Sequence, residues 1–123
     1  MTIQELYLKI GGDYGQAVKI MKMDKLIDRY VRKLAASGVY EKLAEAGNTM
    51  DPGQLFESAH ALKGVCANLG LTDLAAAAGE ITEEFRPGAA RKMTDDAIRE
   101  KLAAVSEMYQ RAVKGIEEYI AEA

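Results

Sequence analysis

The chain has 123 residues, of which 49% are hydrophobic, and a formal net charge of −3, so it can bury one ordinary core and is not expected to be disordered. Its 16 basic and 19 acidic residues are interspersed, and without a block of Lys and Arg we expect no contact with nucleic acid. The single cysteine cannot form an internal disulfide, and no apolar run has the length of a signal peptide or a membrane span, so we expect a cytoplasmic protein that contacts no membrane.

Two short helices are predicted at the N-terminus. Thr2 and Glu5 have the spacing of a capping box, so a helix should cover about residues 2–10 and stop at the glycine pair that follows. Asp13 can cap a second helix over residues 14–21. Both pieces are too short to form a bundle arm and are expected to pack against one.

A longer, interrupted helix comes next. Apolar residues recur at steps of three and four over residues 24–36, which is typical of a helix that buries one face; they are Leu26, Ile27, Tyr30, Val31 and Leu34. Ser37-Gly38 interrupts the pattern, and a shorter helix is predicted over residues 38–46, closed by a left-handed turn at Gly47-Asn48. The two pieces are expected to form one arm of a bundle.

The clearest helix start lies in the middle of the chain. Asp51 can cap a helix over residues 51–69, with Pro52 at the first helical position. Gly70 can then adopt the left-handed conformation that ends a helix. Because so short a joint leaves room only for a reversal, the next helix, over residues 71–85, is predicted to run antiparallel to the first.

The last predicted helix is the longest, covering residues 95–121 after a capping Thr94, and apolar residues that should face the core recur at steps of three and four from Ile98 to Ile120. No segment shows the alternation of a strand. The sequence therefore predicts an all-α fold. We expect an antiparallel up-down-up-down four-helix bundle of residues 24–46, 51–69, 71–85 and 95–121, with the short N-terminal helices packed on it, in one domain over residues 1–123.

His60 is the only histidine. On a helical wheel of about 100° per residue, His60 lies about 140° from the centre of the apolar stripe of its helix. That stripe consists of Leu55, Ala59, Leu62, Cys66 and Leu69. We therefore expect the imidazole to face solvent and the Cys66 thiol to be buried.

Lys63 and Gly64 follow His60 by three and four residues, so both should lie on the next turn of the same helix face. A glycine inside a helix costs about 0.5 to 1 kcal/mol relative to alanine, which suggests that a partner approaches the imidazole closely. An imidazole is nucleophilic at neutral pH, and a phosphoryl group on it would gain from a nearby ammonium. The pattern predicts a phosphoryl-acceptor site, with a solvated surface histidine as the alternative.

Other chemistries lack the residues that they need. One histidine and one cysteine cannot build the usual zinc site. The glycine-rich residues 11–15 lack the GxxxxGK[ST] pattern and follow no strand. We therefore expect no resident metal, cofactor or bound ATP.

The sequence HALKGVCANLG from His60 to Gly70, followed by Leu74 and an alanine-rich helix, resembles the histidine-containing phosphotransfer (Hpt) domains of two-component phosphorelays. The resemblance implies that His60 accepts a phosphoryl group from the aspartyl phosphate of a receiver domain and passes it to another receiver. It also implies that Lys63 stabilises the phosphoryl group and that Gly64 makes room for it. The chain would then be a phosphocarrier without kinase activity, and the receiver would supply Mg²⁺.

The surface that recognises the partner is expected to surround His60, at Phe56, Lys63, Ala67 and Asn68. The expected partner is the receiver domain of a response regulator, with a hybrid sensor kinase as a further candidate, and the chain is expected to be a monomer. The N-terminal 50 residues are more segmented than the single long helix usual in the family.

Two alternatives remain. The first is a helical adaptor that docks receivers without phosphotransfer. The second is the dimerisation and phosphoacceptor domain of a sensor kinase, which would need an acidic residue where this chain has Ala61.

Overall fold

The computed structural model describes residues 1–122, which form seven α-helices and, within that range, no strand. The helices are α1 (Ile3–Ile10), α2 (Tyr14–Met21), α3 (Asp24–Ala36), α4 (Val39–Thr49), α5 (Pro52–Asn68), α6 (Thr72–Glu84) and α7 (Asp95–Ala121). The all-α prediction is confirmed. None of these helices combines the length and the apolar character needed to cross a membrane.

Helices α3 to α7 build the bundle, with α3 and α4 as successive halves of one arm. The break between them lies at Gly38, whose φ is +73°. Helix α5 packs against α4 and α6, and α7 packs against α6, α4 and α3. Leu102, near the start of α7, lies beside Gly47 of α4, whereas Tyr119, near its end, donates a hydrogen bond to Asp28 of α3 at 2.6 Å. The first and last arms are therefore antiparallel.

The core forms where the apolar stripes of these helices meet. All five stripe residues of α5 are at most 1% exposed, so the predicted orientation of that helix is confirmed. Two other predicted core positions are wrong, because Tyr30 of α3 is 41% exposed and Ile120 of α7 is 38% exposed. Each lies about 60° from the centre of the residues that are buried in its helix, at the margin where burial depends on neighbouring helices.

The end of α4 corrects a second prediction. The helix does not close at Gly47-Asn48 but continues to Thr49, and Met50 adopts the left-handed conformation with φ of +57°. The amide of Met50 donates to the carbonyl oxygen of Ala46 at 2.8 Å. Gly47 has a packing role instead, since a Cβ there would lie 3.0 Å from Cδ1 of Leu102.

The turn between α5 and α6 connects the bundle to the N-terminal helices. Gly70 has φ of +70°, and the amide of Leu71 donates to the carbonyl oxygen of Cys66 at 2.9 Å, which completes a Schellman motif. The amide of Asp13 donates to the carbonyl oxygen of Gly70 at 2.7 Å. The Tyr7 hydroxyl donates to the carbonyl oxygen of Leu69 at 2.6 Å. Helices α1 and α2 therefore cover the C-terminal end of α5.

Gly70→Ala is expected to destabilise the fold more than Gly88→Ala. Both glycines have positive φ, at +70° and +87°, so each alanine should cost about 1 to 2 kcal/mol from the left-handed backbone. A Cβ at Gly70 would lie 2.4 Å from the Asp13 carbonyl oxygen, while one at Gly88 meets nothing within 4 Å. The extra cost at Gly70 should be about 1 to 3 kcal/mol, measured by urea unfolding. Equal costs would contradict the packing of α2 against this turn.

Candidate functional site

His60 lies on the solvent side of α5 and is exposed, as predicted. The start of α5 sets this orientation. The Asp51 carboxylate accepts a hydrogen bond from the amide of Gln54 at 2.9 Å, and Pro52 occupies the first turn. With the helix start fixed and the opposite stripe buried, the imidazole can only point outward.

An aromatic ring lies parallel to the imidazole, offset from it. The rings of Phe56 and His60 are nearly parallel, with centroids 5.7 Å apart and planes 9° apart. The Arg86 guanidinium also lies over Phe56, with its carbon 5.4 Å from the centroid of the Phe56 ring. Arg86 in turn donates two hydrogen bonds to the Glu83 carboxylate, at 2.7 and 2.9 Å. These contacts connect the end of α6 to the histidine.

Lys63 follows on the next turn of α5 and lies against α6. A Cβ built on Gly79 would be 3.5 Å from Cδ of Lys63, so the stem of the lysine crosses α6 at a glycine. Within residues 1–122, no carboxylate lies within ion-pair distance of its ammonium, although Glu83 is close enough for the lysine charge to lower the pKa of that carboxyl.

Charged groups surround Glu83, which lies near the site. The hydrogen bond from Arg86 is the main reason that the pKa of the Glu83 carboxyl is lowered. The positive charges of Lys63 and His60 lower the same pKa further. A carboxylate therefore stands beside the two groups that would meet a phosphoryl group.

Gly64 is exposed, and a Cβ built on it would have no neighbour within 4 Å. Its φ is not in the left-handed region. Neither packing nor backbone conformation therefore requires glycine here, and the surface beside His60 is bare, as the sequence predicts.

The three other residues predicted for partner recognition lie in different surroundings. Phe56 is half-buried under Arg86, whereas Ala67 and Asn68 are exposed. Ala67 is two turns from His60 on the same face. Asn68 instead lines a groove between α5, α2 and α3. The rim of that groove carries the exposed apolar side chains of Ile20, Tyr30 and Val65.

Sequence reasoning missed Glu84, the buried acid at the end of α6. Its carboxylate accepts hydrogen bonds from the amides of Met93 and Lys92, at 2.8 and 2.9 Å, and from Nε of Arg91 at 3.0 Å. The Met93 amide is the main reason that the pKa of Glu84 is lowered. Glu84 thereby fastens the 85–94 loop to α6. An acid at a helix end usually indicates a solvated residue, so no local signal identified it.

The remaining reactive groups offer little chemistry. Burial raises the pKa of the Cys66 thiol to about 12, and the side chain is 0% exposed. In the described part of the chain, no three His, Cys, Asp or Glu residues are grouped so that they could bind a metal ion.

Comparison with known proteins defines the class. The Hpt domain family matches residues 23–115, and the chain therefore belongs to that family. Hpt domains are four-helix bundles that act as intermediates, not kinases, in the histidine phosphotransfer of two-component phosphorelays. Helices α1 and α2 lie before the matched segment.

The chain is also similar to the sensory/regulatory protein RpfC of Xanthomonas campestris pv. campestris, from strains ATCC 33913 and 8004. The identity is 35% over 74 residues in each case, covering 58% of this chain and 10% of RpfC. The chain thus spans about a tenth of the length of these curated relatives. No solved structure matches.

Proposed function

We propose that His60 is the phosphoryl acceptor of this Hpt domain, receiving the group from the aspartyl phosphate of one receiver domain and passing it to another. In this step an imidazole nitrogen forms a bond to phosphorus while the bond between phosphorus and the aspartyl oxygen breaks. The aspartate leaves as a carboxylate. The observation that carries the proposal is the exposed imidazole of α5 with a free surface on the next turn, inside the matched segment.

Lys63 and Gly64 would serve the transferred group in different ways. Lys63 has a flexible stem, and its ammonium can turn from α6 toward a phosphoryl group one turn away. Gly64 leaves room for the receiver to bring its aspartate to the nitrogen. The receiver would contribute the Mg²⁺ that neutralises the remaining phosphoryl oxygens.

The receiver is proposed to cover the face of α5 around His60, including Phe56, Ala67 and Asn68. Exposed apolar side chains at Val65 and Tyr30 extend that face toward α3, and desolvating them would favour docking on that side. A hybrid sensor kinase is a candidate donor, given the similarity to a segment of RpfC.

The proposal includes residues 1–22 in the same domain, because Tyr7 and Asp13 bond directly to the end of the histidine helix. We also propose that the chain is a monomer and that it acts in the cytoplasm, where receivers phosphorylated from ATP would be available.

His60→Gln is expected to abolish labelling. The wild-type chain, incubated with a panel of receivers carrying ³²P-aspartyl phosphate, should take up acid-labile label from at least one of them, and the variant should take up none. Circular dichroism should show equal helicity, since the imidazole is exposed. A labelled variant, or a wild-type chain unlabelled by the whole panel, would refute the assignment. Tight receiver binding without transfer, unchanged by His60→Ala, would instead favour the adaptor.

Lys63→Ala should slow transfer about 10- to 100-fold, the value of one charge-assisted hydrogen bond of about 1.5 to 3 kcal/mol. The rate is measured from a phosphorylated receiver by rapid quench. Lys114→Ala removes an exposed lysine of α7 and serves as the charge-matched control. Equal rates in the two variants would contradict a specific role for the lysine beside His60.

Gly64→Leu should obstruct transfer at least about tenfold while leaving the free energy of unfolding equal or slightly higher, because a leucine favours the helix. The added side chain enters open space in the free domain, so only the complex with the receiver should suffer. Ala103→Leu, at an exposed position of α7, is the control for added apolar bulk. Transfer kinetics like those of the control would remove the proposed role of Gly64.

A further inference from the structure

The stack on His60 leaves free the part of the imidazole that reacts. The nitrogen lone pair used in phosphoryl transfer lies in the plane of the ring, whereas the Phe56 ring is stacked with an offset, only 9° from parallel, and so overlaps at most part of one face. The centroid distance of 5.7 Å lies within the range of offset aromatic pairs. Phe56 can therefore restrict the orientation of the imidazole without blocking its nitrogens.

Phe56 is itself fixed from a second element. Arg86 follows the end of α6, and its guanidinium lies 5.4 Å from the Phe56 centroid, within the range of a cation–π contact. The Glu83 carboxylate accepts two hydrogen bonds from the Arg86 guanidinium. This pairing limits the rotation of the Arg86 side chain. Three consecutive contacts thus connect the end of α6 to the imidazole.

An exposed histidine without such contacts would sample several rotamers. Phosphoryl transfer between two proteins requires the nitrogen, the phosphorus and the leaving oxygen to lie in line, so the fraction of time spent in one orientation enters the rate directly. We propose that Phe56 and Arg86 are positioning residues that hold the imidazole of His60 in its reactive orientation, with Glu83 orienting the guanidinium. This inference rests on the proposed function of His60.

Two kinds of phosphoryl donor separate the orientation of the imidazole from receiver docking and from the reactivity of the imidazole. Transfer from a phosphorylated receiver is measured over a range of receiver concentrations, which gives a maximal rate and a half-saturating concentration. Phosphoramidate, a small donor that phosphorylates histidine without a receiver, measures the reactivity of the imidazole itself. Because a small donor can approach the ring in any orientation, its rate should not depend on the stack.

Phe56→Leu should lower the maximal rate about three- to tenfold, the effect of releasing a restricted side chain, and leave the phosphoramidate rate unchanged. Because Phe56 also lies in the proposed docking face, the half-saturating concentration should rise as well. Phe56→Tyr, which keeps the ring, should restore the maximal rate. Arg86→Gln should give a smaller loss in the same direction, and Arg86→Lys, which keeps the cation, should recover most of it. The His60 ring-proton shifts in NMR spectra should lose the ring-current effect in Phe56→Leu alone.

Arg32→Gln is the matched control, since Arg32 also lies 5.4 Å from an aromatic centroid, that of Tyr119, and pairs with Asp28. It should leave the maximal rate unchanged. An unchanged maximal rate in Phe56→Leu would overturn the inference, as would a change confined to half-saturation or an equal loss with phosphoramidate. If phosphoramidate labels His60 and no receiver does, the proposed function fails instead.

Discussion

The structure depends on the division of α5 into two faces with opposite requirements. One face contributes Leu55, Leu62 and Cys66 to the core, each at 0% exposure, and their burial favours folding by about 1.5 to 3 kcal/mol for each large side chain. The other face exposes His60 and Gly64. A helix cannot rotate to bury the imidazole without exposing the stripe. The same burial that stabilises the bundle therefore keeps the histidine accessible.

Opposite ends of α5 are fixed by different means. Asp51 caps the N-terminal end locally, within three residues of sequence. At the C-terminal end, Gly70 turns the chain and bonds through its carbonyl oxygen to Asp13, while Tyr7 bonds to Leu69. Burial raises the pKa of the Tyr7 phenol, so this hydroxyl stays protonated and able to donate. Helices α1 and α2, outside the matched segment, thus stabilise the end of the helix that carries the site.

Features governed by local periodicity could be predicted from the sequence. The stripe of α5, the exposure of His60 and the Asp51 cap all depend on residues within a few turns, where the 3.6-residue period and capping rules apply. Gly47 was assigned to a helix end because glycine often ends helices. In the structure Gly47 instead packs against Leu102, 55 residues later in the chain, a contact that no local rule can include.

The surroundings of His60 likewise depend on contacts between residues far apart in the sequence, which local rules cannot predict. Phe56 could be placed near His60 from their spacing of four residues, but Arg86 reaches Phe56 only because α6 folds back along α5. The same reversal brings Glu83 to Lys63. Local spacing thus identifies the candidate reacting group, and the tertiary fold supplies the groups that would orient it.

Electrostatics around Glu83 bear on how the site would hold a phosphoryl group. In the free domain, the carboxylate is stabilised by Arg86 first and by the charge of Lys63 next. Under the proposed function, a phosphoryl group on His60 would bring negative charge toward Glu83, and the two anions would repel. Lys63 can then turn from Glu83 toward the phosphoryl group, while Arg86 stays paired with the carboxylate. Under the proposed function, the pairing of Glu83 with Arg86 leaves Lys63 available to the phosphoryl group, so that the group could be accepted and released without rearranging the bundle.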